Sequence, residues 1–283
     1  MASAVLFAWC WIELRRQGRG EHRELFVAAA YGLVLELADM WLFGTYFYHG
    51  VARWWLGPVP VYIPLLWAVI VHSSMALSDR AGLPLWSRPV MDGLLAVLID
   101  LAIDAIAIRA GLWNWSIPLD EGWFGVPAGN LCAWMFVAGW YGGVMRLVRR
   151  RTVQKGEPAW HRWLVPLFAY GGLFASLFAI GTLGQWLGLK TPDQRLWLFA
   201  GQSALCLGLV ALASARPAAA PAARVSPSLV WSRWIMHGSF AVVLIASGIW
   251  RKLPVLLAVS AATLALEWAV QLWCERRARD VIQ

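Results

Sequence analysis

The chain has 283 residues, of which 60% are hydrophobic and only 14% are charged, and its formal net charge is +8. Soluble domains average about 25% charged residues, so this composition excludes an ordinary soluble enzyme and predicts a polytopic membrane protein. The basic excess does not indicate nucleic-acid binding, because the Lys and Arg residues lie in short loops between apolar runs, where they set membrane topology.

Apolar runs recur from one end of the chain to the other. We predict helices near residues 2–14, 25–43, 60–77, 90–109, 128–147, 163–187, 195–214, 234–249 and 253–274. The first run is shorter than the roughly 20 residues that a span requires. The expected fold is therefore an all-α integral membrane bundle with eight or nine transmembrane helices.

Two connectors divide this predicted bundle without breaking it into separate domains. The basic loop 146–162 separates five helices from four, and residues 215–228 form a linker rich in Pro and Ala. We predict a single membrane domain over 1–283, with residues 24–147 as one part and 163–274 as a C-terminal four-helix part.

The Lys and Arg residues predict the orientation of the bundle. Loops on one side carry eighteen of them, including Arg19 and Arg224, and loops on the other side carry six. The positive-inside rule makes the first side cytoplasmic. We expect a multi-pass inner-membrane protein with a cytoplasmic C-terminus and with loop 110–127 on the outer face.

Four acidic residues lie inside two of the predicted spans. Glu36 and Asp39 are three residues apart, and Asp100 and Asp104 are four apart, so each pair shares a helix face. An ionised carboxylate at mid-bilayer costs about 2.5–3.5 kcal/mol. Because both helices run outward, the four acids lie at similar depths, and we expect them to line one cavity. The alternative is that hydrogen bonds to them merely join the helices.

Other charged residues receive different interpretations. Asp92 lies near the start of its helix, where an acid is favoured by the helix dipole. Arg109 is expected to reach the membrane interface rather than to pair with Asp104. Glu267 is a single acid whose role, structural or functional, the sequence leaves open.

Aromatic residues are concentrated in the two outer loops beside the acidic helices, beyond what an interfacial belt explains. They predict an apolar, π-rich pocket suited to a long polyene or to a carbocation. These residues are Tyr46, Tyr48, Trp54, Trp55, Trp113, Trp115 and Trp123.

Cysteine and histidine give no sign of a metal or redox centre. The four cysteines are scattered singly, and the five histidines show no paired spacing. We therefore expect neither a metal nor another cofactor.

Four segments resemble the membrane carotenoid-biosynthesis family that includes CruF-type carotenoid 1′,2′-hydratases and haloarchaeal bisanhydrobacterioruberin hydratase. They are LELADMWLFGTYFYHG (35–50), VPVYIPLLWAV (59–69), DLAIDAIAIRAGLWNW (100–115) and WFGVPAGNLCAW (123–134). The resemblance implies a carotenoid or other long isoprenoid substrate, met within the lipid bilayer, and no nucleic acid. The oligomeric state is left open.

The resemblance and the intramembrane acids together define the candidate site. The catalytic candidates are Asp100, Asp104 and Glu36. The substrate-binding candidates are Asp39, Tyr46, Tyr48, Trp67, Trp113, Trp115, Trp123, Asn130 and Trp134.

Hydration of a terminal alkene suits these residues, because it needs a proton on one carbon and water on the other. Asp100, the deeper acid, is expected to be the neutral proton donor, and Asp104 is expected to contact water. Alternatives are a cofactor-free carotenoid cyclase, a UbiA-like prenyltransferase, a transporter or proton relay, and a purely structural protein.

Overall fold

The computed structural model describes residues 2–18, 20–50, 52–155, 158–216 and 225–280. Arg19, Arg224 and most of the predicted linker 215–228 lie outside these ranges. Within them, each predicted apolar run forms a helix. The helices are α1 (Ala2–Arg16), α2 (Glu21–Ala38), α3 (Tyr62–Arg80), α4 (Arg88–Arg109), α5 (Ala128–Lys155), α6 (Val165–Trp186), α7 (Pro192–Ser214), α8 (Pro227–Ala246), the single turn α9 (Ile249–Lys252) and α10 (Val255–Asp280).

Shorter elements join these helices. α2 continues as a π-helical turn over Asp39–Phe43, and a 3₁₀ turn over Ala159–Leu164 precedes α6. Four short strands lie in the loops at the α2–α3 and α4–α5 connections: β1 (Tyr46–Tyr48), β2 (Trp55–Leu56), β3 (Val59–Pro60) and β4 (Trp113–Trp115). The strands pair as β1 with β4 and β2 with β3.

Six segments of the described chain are long and apolar enough to cross a bilayer. They are Glu21–Phe43, Ala128–Gln154, Trp160–Trp186, Pro192–Ser214, Pro227–Ala246 and Val255–Arg279. The predicted all-α membrane bundle is thus confirmed, whereas the count of eight or nine transmembrane helices is not. α1 has only 15 residues, and α4 carries three aspartates.

α4 lies at the centre of the bundle. It packs against α3, α5, α7, α8 and α10, and its residues are buried around most of its circumference. A helix enclosed by protein on all sides can carry polar side chains that lipid would not accept, provided that partners satisfy them. This position explains why α4 holds three aspartates.

At the end of the bundle where α4 begins, Asp92 belongs to a buried ion-pair network rather than to a simple helix start. Arg146 of α5 donates to both oxygens of Asp92, and its Nε lies 2.8 Å from Asp79 Oδ1. Ser78 also donates to Asp92. Asp92 thus has a structural role, as its position near the start of the helix suggested, but it lies beyond the first turn of α4 and its partner is Arg146 of α5.

Many of the basic residues that the charge count placed in loops lie inside helices, among them the buried Arg146 and Arg233. α5 extends to Lys155, so Arg146 is within it and buried, and the predicted loop 146–162 begins too early. Arg233 is fully buried in α8, where its Nε and Nη2 lie 2.6 and 2.7 Å from the carboxylate oxygens of Glu267. Glu267 thus forms a buried ion pair between α8 and α10.

Candidate functional site

A two-stranded sheet at the other end of α2 and α4 brings the two aromatic loops together. β1 and β4 run antiparallel, with Tyr46 opposite Trp115 and Tyr48 opposite Trp113. Alternate residues of a strand point to the same face, so these four rings lie on one side of the sheet. The central pair, Phe47 and Asn114, is exposed on the other side.

Glu36, near the end of α2, accepts hydrogen bonds from three neutral donors. Tyr46 and Tyr48 both donate to Oε2, the latter at 2.6 Å, and Trp67 Nε1 of α3 donates to Oε1 at 2.7 Å. Two of these donors come from β1, so the fold of the loop creates the binding environment of the acid. A buried carboxylate can remain ionised without a cation when several donors converge on it.

The two tyrosines stay protonated in this position. Burial, and then the neighbouring Glu36 carboxylate, raises the pKa of Tyr46 and of Tyr48 well above the usual phenol range. Both hydroxyl groups are therefore neutral donors at physiological pH.

Asp104 and Asp100 are joined by a single amide. Asn130, in the first turn of α5, donates through Nδ2 to Asp104 Oδ2 at 2.6 Å and to Asp100 Oδ2 at 3.1 Å. Trp113 Nε1 of β4 donates to Asp104 Oδ1 at 2.9 Å. Both oxygens of Asp104 are therefore occupied by donors on neighbouring elements.

Asp100 differs from the other two acids. Glu36, Asp100 and Asp104 have six carboxyl oxygens, and five of them accept a hydrogen bond from a described donor. The sixth, Asp100 Oδ1, is buried and has no partner among the described residues. Buried polar atoms without a partner are rare and require an explanation.

Aromatic contacts connect the Glu36 and Asp104 parts of the site. The rings of Tyr48 and Trp113 meet edge to face at 5.8 Å between centroids, and those of Tyr46 and Trp115 lie 4.7 Å apart. Trp115 Nε1 is buried near Asp104 and interacts with its carboxylate, but the geometry does not give a hydrogen bond. The three acids and the inner face of the β1–β4 sheet form one cluster.

Asp39 lies at the edge of this cluster. It begins the π-helical turn, is only partly buried, and accepts a hydrogen bond from Thr45 at 2.6 Å. π-helical turns are often found at functional sites. Asp39 interacts with Glu36 through its charge, whereas no described hydrogen bond joins it to Asp100 or Asp104.

Trp67 and Trp134 extend the aromatic wall toward α3 and α5. Their rings lie 4.3 Å apart with an interplanar angle of 35°. Trp67 also donates to Glu36, so this pair is coupled to the acid cluster by both packing and hydrogen bonding.

Trp123, unlike Trp113, does not donate a hydrogen bond to an acid of the cluster. Its Nε1 donates to the carbonyl of Leu101 at 2.7 Å, and its ring packs against Phe124 at 5.0 Å. The indole N–H thus anchors the α4–α5 loop to α4 and is not available to the acids.

Arg109 holds the same loop. Its guanidinium donates to the carbonyl groups of Phe124 at 2.6 Å and Leu119 at 2.8 Å. As expected, it does not pair with Asp104 among the described ion pairs, because its charge is directed to loop carbonyls beyond the C-terminal end of α4.

Metal ligation has no evident basis in the described ranges of the chain. No group of three His, Cys, Asp or Glu side chains there is arranged to hold a metal ion. The expectation that no cofactor is used stays a prediction.

Sequence reasoning missed the short strands, because three-residue strands rich in Tyr and Trp do not differ from loop composition. It also missed Thr45 as the partner of Asp39. The bridging geometry of Asn130 could not be derived from spacing, since Asn130 is distant in sequence from both aspartates.

Comparison with known proteins gives one match. The family model described as carotenoid biosynthesis protein matches residues 1–190, about two thirds of the chain. The matched range includes every residue of the acid cluster. Neither the curated proteins nor the solved structures contain a match.

Proposed function

This chain belongs to the carotenoid biosynthesis protein family, and on that premise we propose that it is a CruF-type hydratase. The proposed reaction is acid-catalysed addition of water to the terminal double bond of an acyclic carotenoid. The observation that carries the proposal is the buried Oδ1 of Asp100, which has no hydrogen-bond partner in the described part of the chain, whereas the neighbouring carboxyl oxygens have donors.

The free oxygen supports Asp100 as the acid. A proton that is to be transferred to carbon must not be held by a stronger acceptor in the protein, because an alkene carbon is a poor hydrogen-bond acceptor. The hydrogen bond from Asn130 occupies Oδ2 and leaves Oδ1 to carry the proton. Asp104 has donors on both oxygens and suits the ionised member of the pair.

The reaction balances without an external reagent. The O–H bond of Asp100 breaks as a C–H bond forms at the less substituted alkene carbon, which leaves a tertiary cation. Water then forms a C–O bond to the cation and releases a proton to Asp104. Proton exchange within the Asp100 and Asp104 pair restores the starting state, so the net change is one molecule of water added.

Glu36 and the aromatic rings suit the stabilisation of a cation. Glu36 accepts hydrogen bonds from three neutral donors beside these rings, and carboxyl oxygens placed where positive charge develops lower the barrier. The faces of Tyr46, Trp113 and Trp115 offer π density without forming a bond to the cation.

The proposal also includes the membrane orientation of the protein and its organisation as one domain. We infer a single membrane domain in the inner membrane, with the acid cluster in the outer half and the C-terminus in the cytoplasm. The packing of α4 against helices from both parts of the chain supports a single domain.

A carotenoid cyclase would begin with the same protonation and then lose a proton instead of taking up water. A prenyltransferase would need groups for a diphosphate, and the donors around the acids are neutral phenol, indole and amide groups. The mass of the product distinguishes these functions from hydration.

Expression in a lycopene-producing host tests the proposal. We expect a pigment heavier than lycopene by one or two molecules of water. An isomer of unchanged mass would indicate cyclisation, and unchanged lycopene beside folded, membrane-inserted protein would contradict the proposal.

A further inference from the structure

A large groove lies between the start of α4, the middle of α5 and α7, outside the acid cluster. Its volume is about 630 Å³, within the range of about 300–1,000 Å³ that is usual for ligand pockets. Residues on its walls include Trp86, Val90, Phe136, Trp140, Gln202 and Cys206.

Close packing of α5 against α4 shapes the groove. A Cβ added at Gly139 would lie 3.0 Å from the carbonyl oxygen of Pro89, and one at Gly143 would lie 3.3 Å from the Pro89 ring. These glycines allow α5 to approach α4 closely and form the floor of the groove. Trp140, held by Ser176 through a 2.9 Å hydrogen bond, forms one wall.

The chemistry of the lining selects a neutral, apolar occupant. Most of the surface is aliphatic or aromatic. Arg146 also lines the groove, but its guanidinium is already paired with Asp79 and Asp92. A phospholipid headgroup would therefore find no unmatched positive charge in this lining, whereas a long hydrocarbon chain with flat π bonds would pack against the Trp and Phe rings.

The groove also leads toward the acids. Pro89 precedes Asp100 by eleven residues on α4, which is about three helical turns and roughly 16 Å, so both lie on nearly the same helix face. At its other end, Gln202 donates to the carbonyl of Cys132 at 3.5 Å, two residues after Asn130. On α5 the lining residue nearest to Asn130 is Met135, five residues along the helix, which is roughly 7.5 Å.

Gln202 lines the groove on α7 and faces α5. Between the groove and Asp100, α4 and α5 pack closely, because a Cβ on Gly93 would lie 2.5 Å from the carbonyl oxygen of Met135. Backbones this close leave no room for a substrate chain between α4 and α5 at Gly93, and Gln202 lines the groove on the α7 side. The Oε1 atom of Gln202 is buried there without a partner among the described residues.

We propose that this groove binds the unreacted part of the polyene while its reacting end lies beside Asp100. The inference rests on the proposed function and places the unreacted part of the substrate along α5 and α7. It commits to a polyene rather than to the acyl chain of a membrane lipid.

Filling the groove tests the proposal. Cys206→Trp places a large ring in the lining of α7, and Leu205→Trp, at a neighbouring residue that is 64% exposed, is the matched control. The substrates are lycopene and farnesol, a short isoprenoid alcohol with the same terminal alkene. We expect Cys206→Trp to lower lycopene hydration about ten-fold or more relative to the control, with farnesol hydration equal in both variants.

A binding measurement separates this inference from the proposed catalysis. In the Asp100→Asn background, Leu205→Trp should retain lycopene through purification, read by its visible absorption, and Cys206→Trp should lose most of it. Equal retention, with equal elution as folded protein, would overturn the groove assignment even if hydration is confirmed. Loss of a co-purified phospholipid from Cys206→Trp without loss of lycopene would assign the groove to a lipid instead.

Discussion

Asn130 donates from one nitrogen to both Asp100 and Asp104, at 3.1 and 2.6 Å. The two aspartates are one helical turn apart on α4, where like charges repel. An amide N–H donor to each of them keeps the pair together in the interior. It also turns the two bonded oxygens toward α5, while Asp100 Oδ1 has no donor among the residues that the structure describes.

Asn130→Ala should lower hydration by about 10–100-fold, because a hydrogen bond to a charged group contributes about 1.5–3 kcal/mol. The rate of pigment conversion, normalised to folded protein, measures this effect. Asn114→Ala is the control, since Asn114 is exposed on the outer face of β4. Equal rates for the two variants would show that the bridge has no role.

Trp113→Phe should lower the rate by about ten-fold or more, because it removes the donor to Asp104 Oδ1 while a ring remains against Tyr48. Trp54→Phe provides the comparison, as Trp54 is 61% exposed. If Trp113→Phe and Trp54→Phe converted the pigment at the same rate, the hydrogen bond from Trp113 to Asp104 would have no role and the aromatic ring alone would be sufficient for activity.

Glu267→Gln should destabilise the bundle by about 3–5 kcal/mol, since it leaves the fully buried Arg233 without its anionic partner. Thermal unfolding in detergent measures the change. The double variant Arg233→Met with Glu267→Leu should recover most of the loss, because it removes both charges. A double variant less stable than Glu267→Gln would contradict this account, because the hydrogen bonds of Arg233 to Ser74 and of Gln271 to Glu267 would then outweigh the ion pair.

Single cysteines test the orientation of the bundle. Asp120→Cys, exposed in the α4–α5 loop, should react with an impermeant thiol reagent from the outer side of intact cells. Arg276→Cys, exposed near the end of α10, should react only in inverted vesicles. The reverse pattern would place the acid cluster in the cytoplasmic half of the membrane.

The helices could be predicted from hydrophobic runs, because a span requires a length of apolar sequence that no other element shows. The shared faces of Glu36 with Asp39 and of Asp100 with Asp104 followed from helical spacing. These predictions use only local periodicity, and the structure has helices at all of these positions.

Partners distant in sequence could not be predicted in the same way. Arg233 and Glu267 are 34 residues apart, and the Asp92 pair with Arg146 spans 54, so neither follows from periodicity. The β1–β4 sheet depends on how two loops meet above α2 and α4. The residues of the site could thus be named from the sequence, but the structure was needed to show that Tyr46 and Tyr48 donate to Glu36 and that Trp113 donates to Asp104.

The most direct test of the account is the hydration rate of Asp100→Asn in purified, folded protein supplied with lycopene. Asparagine keeps the shape and the hydrogen bonding of the side chain but carries no transferable acid proton. General acids contribute about 10²–10⁴-fold to rate, so hydration should fall by that amount, with unfolding temperature and elution unchanged. Near-full conversion by Asp100→Asn would contradict the central claim that this carboxyl group protonates the substrate.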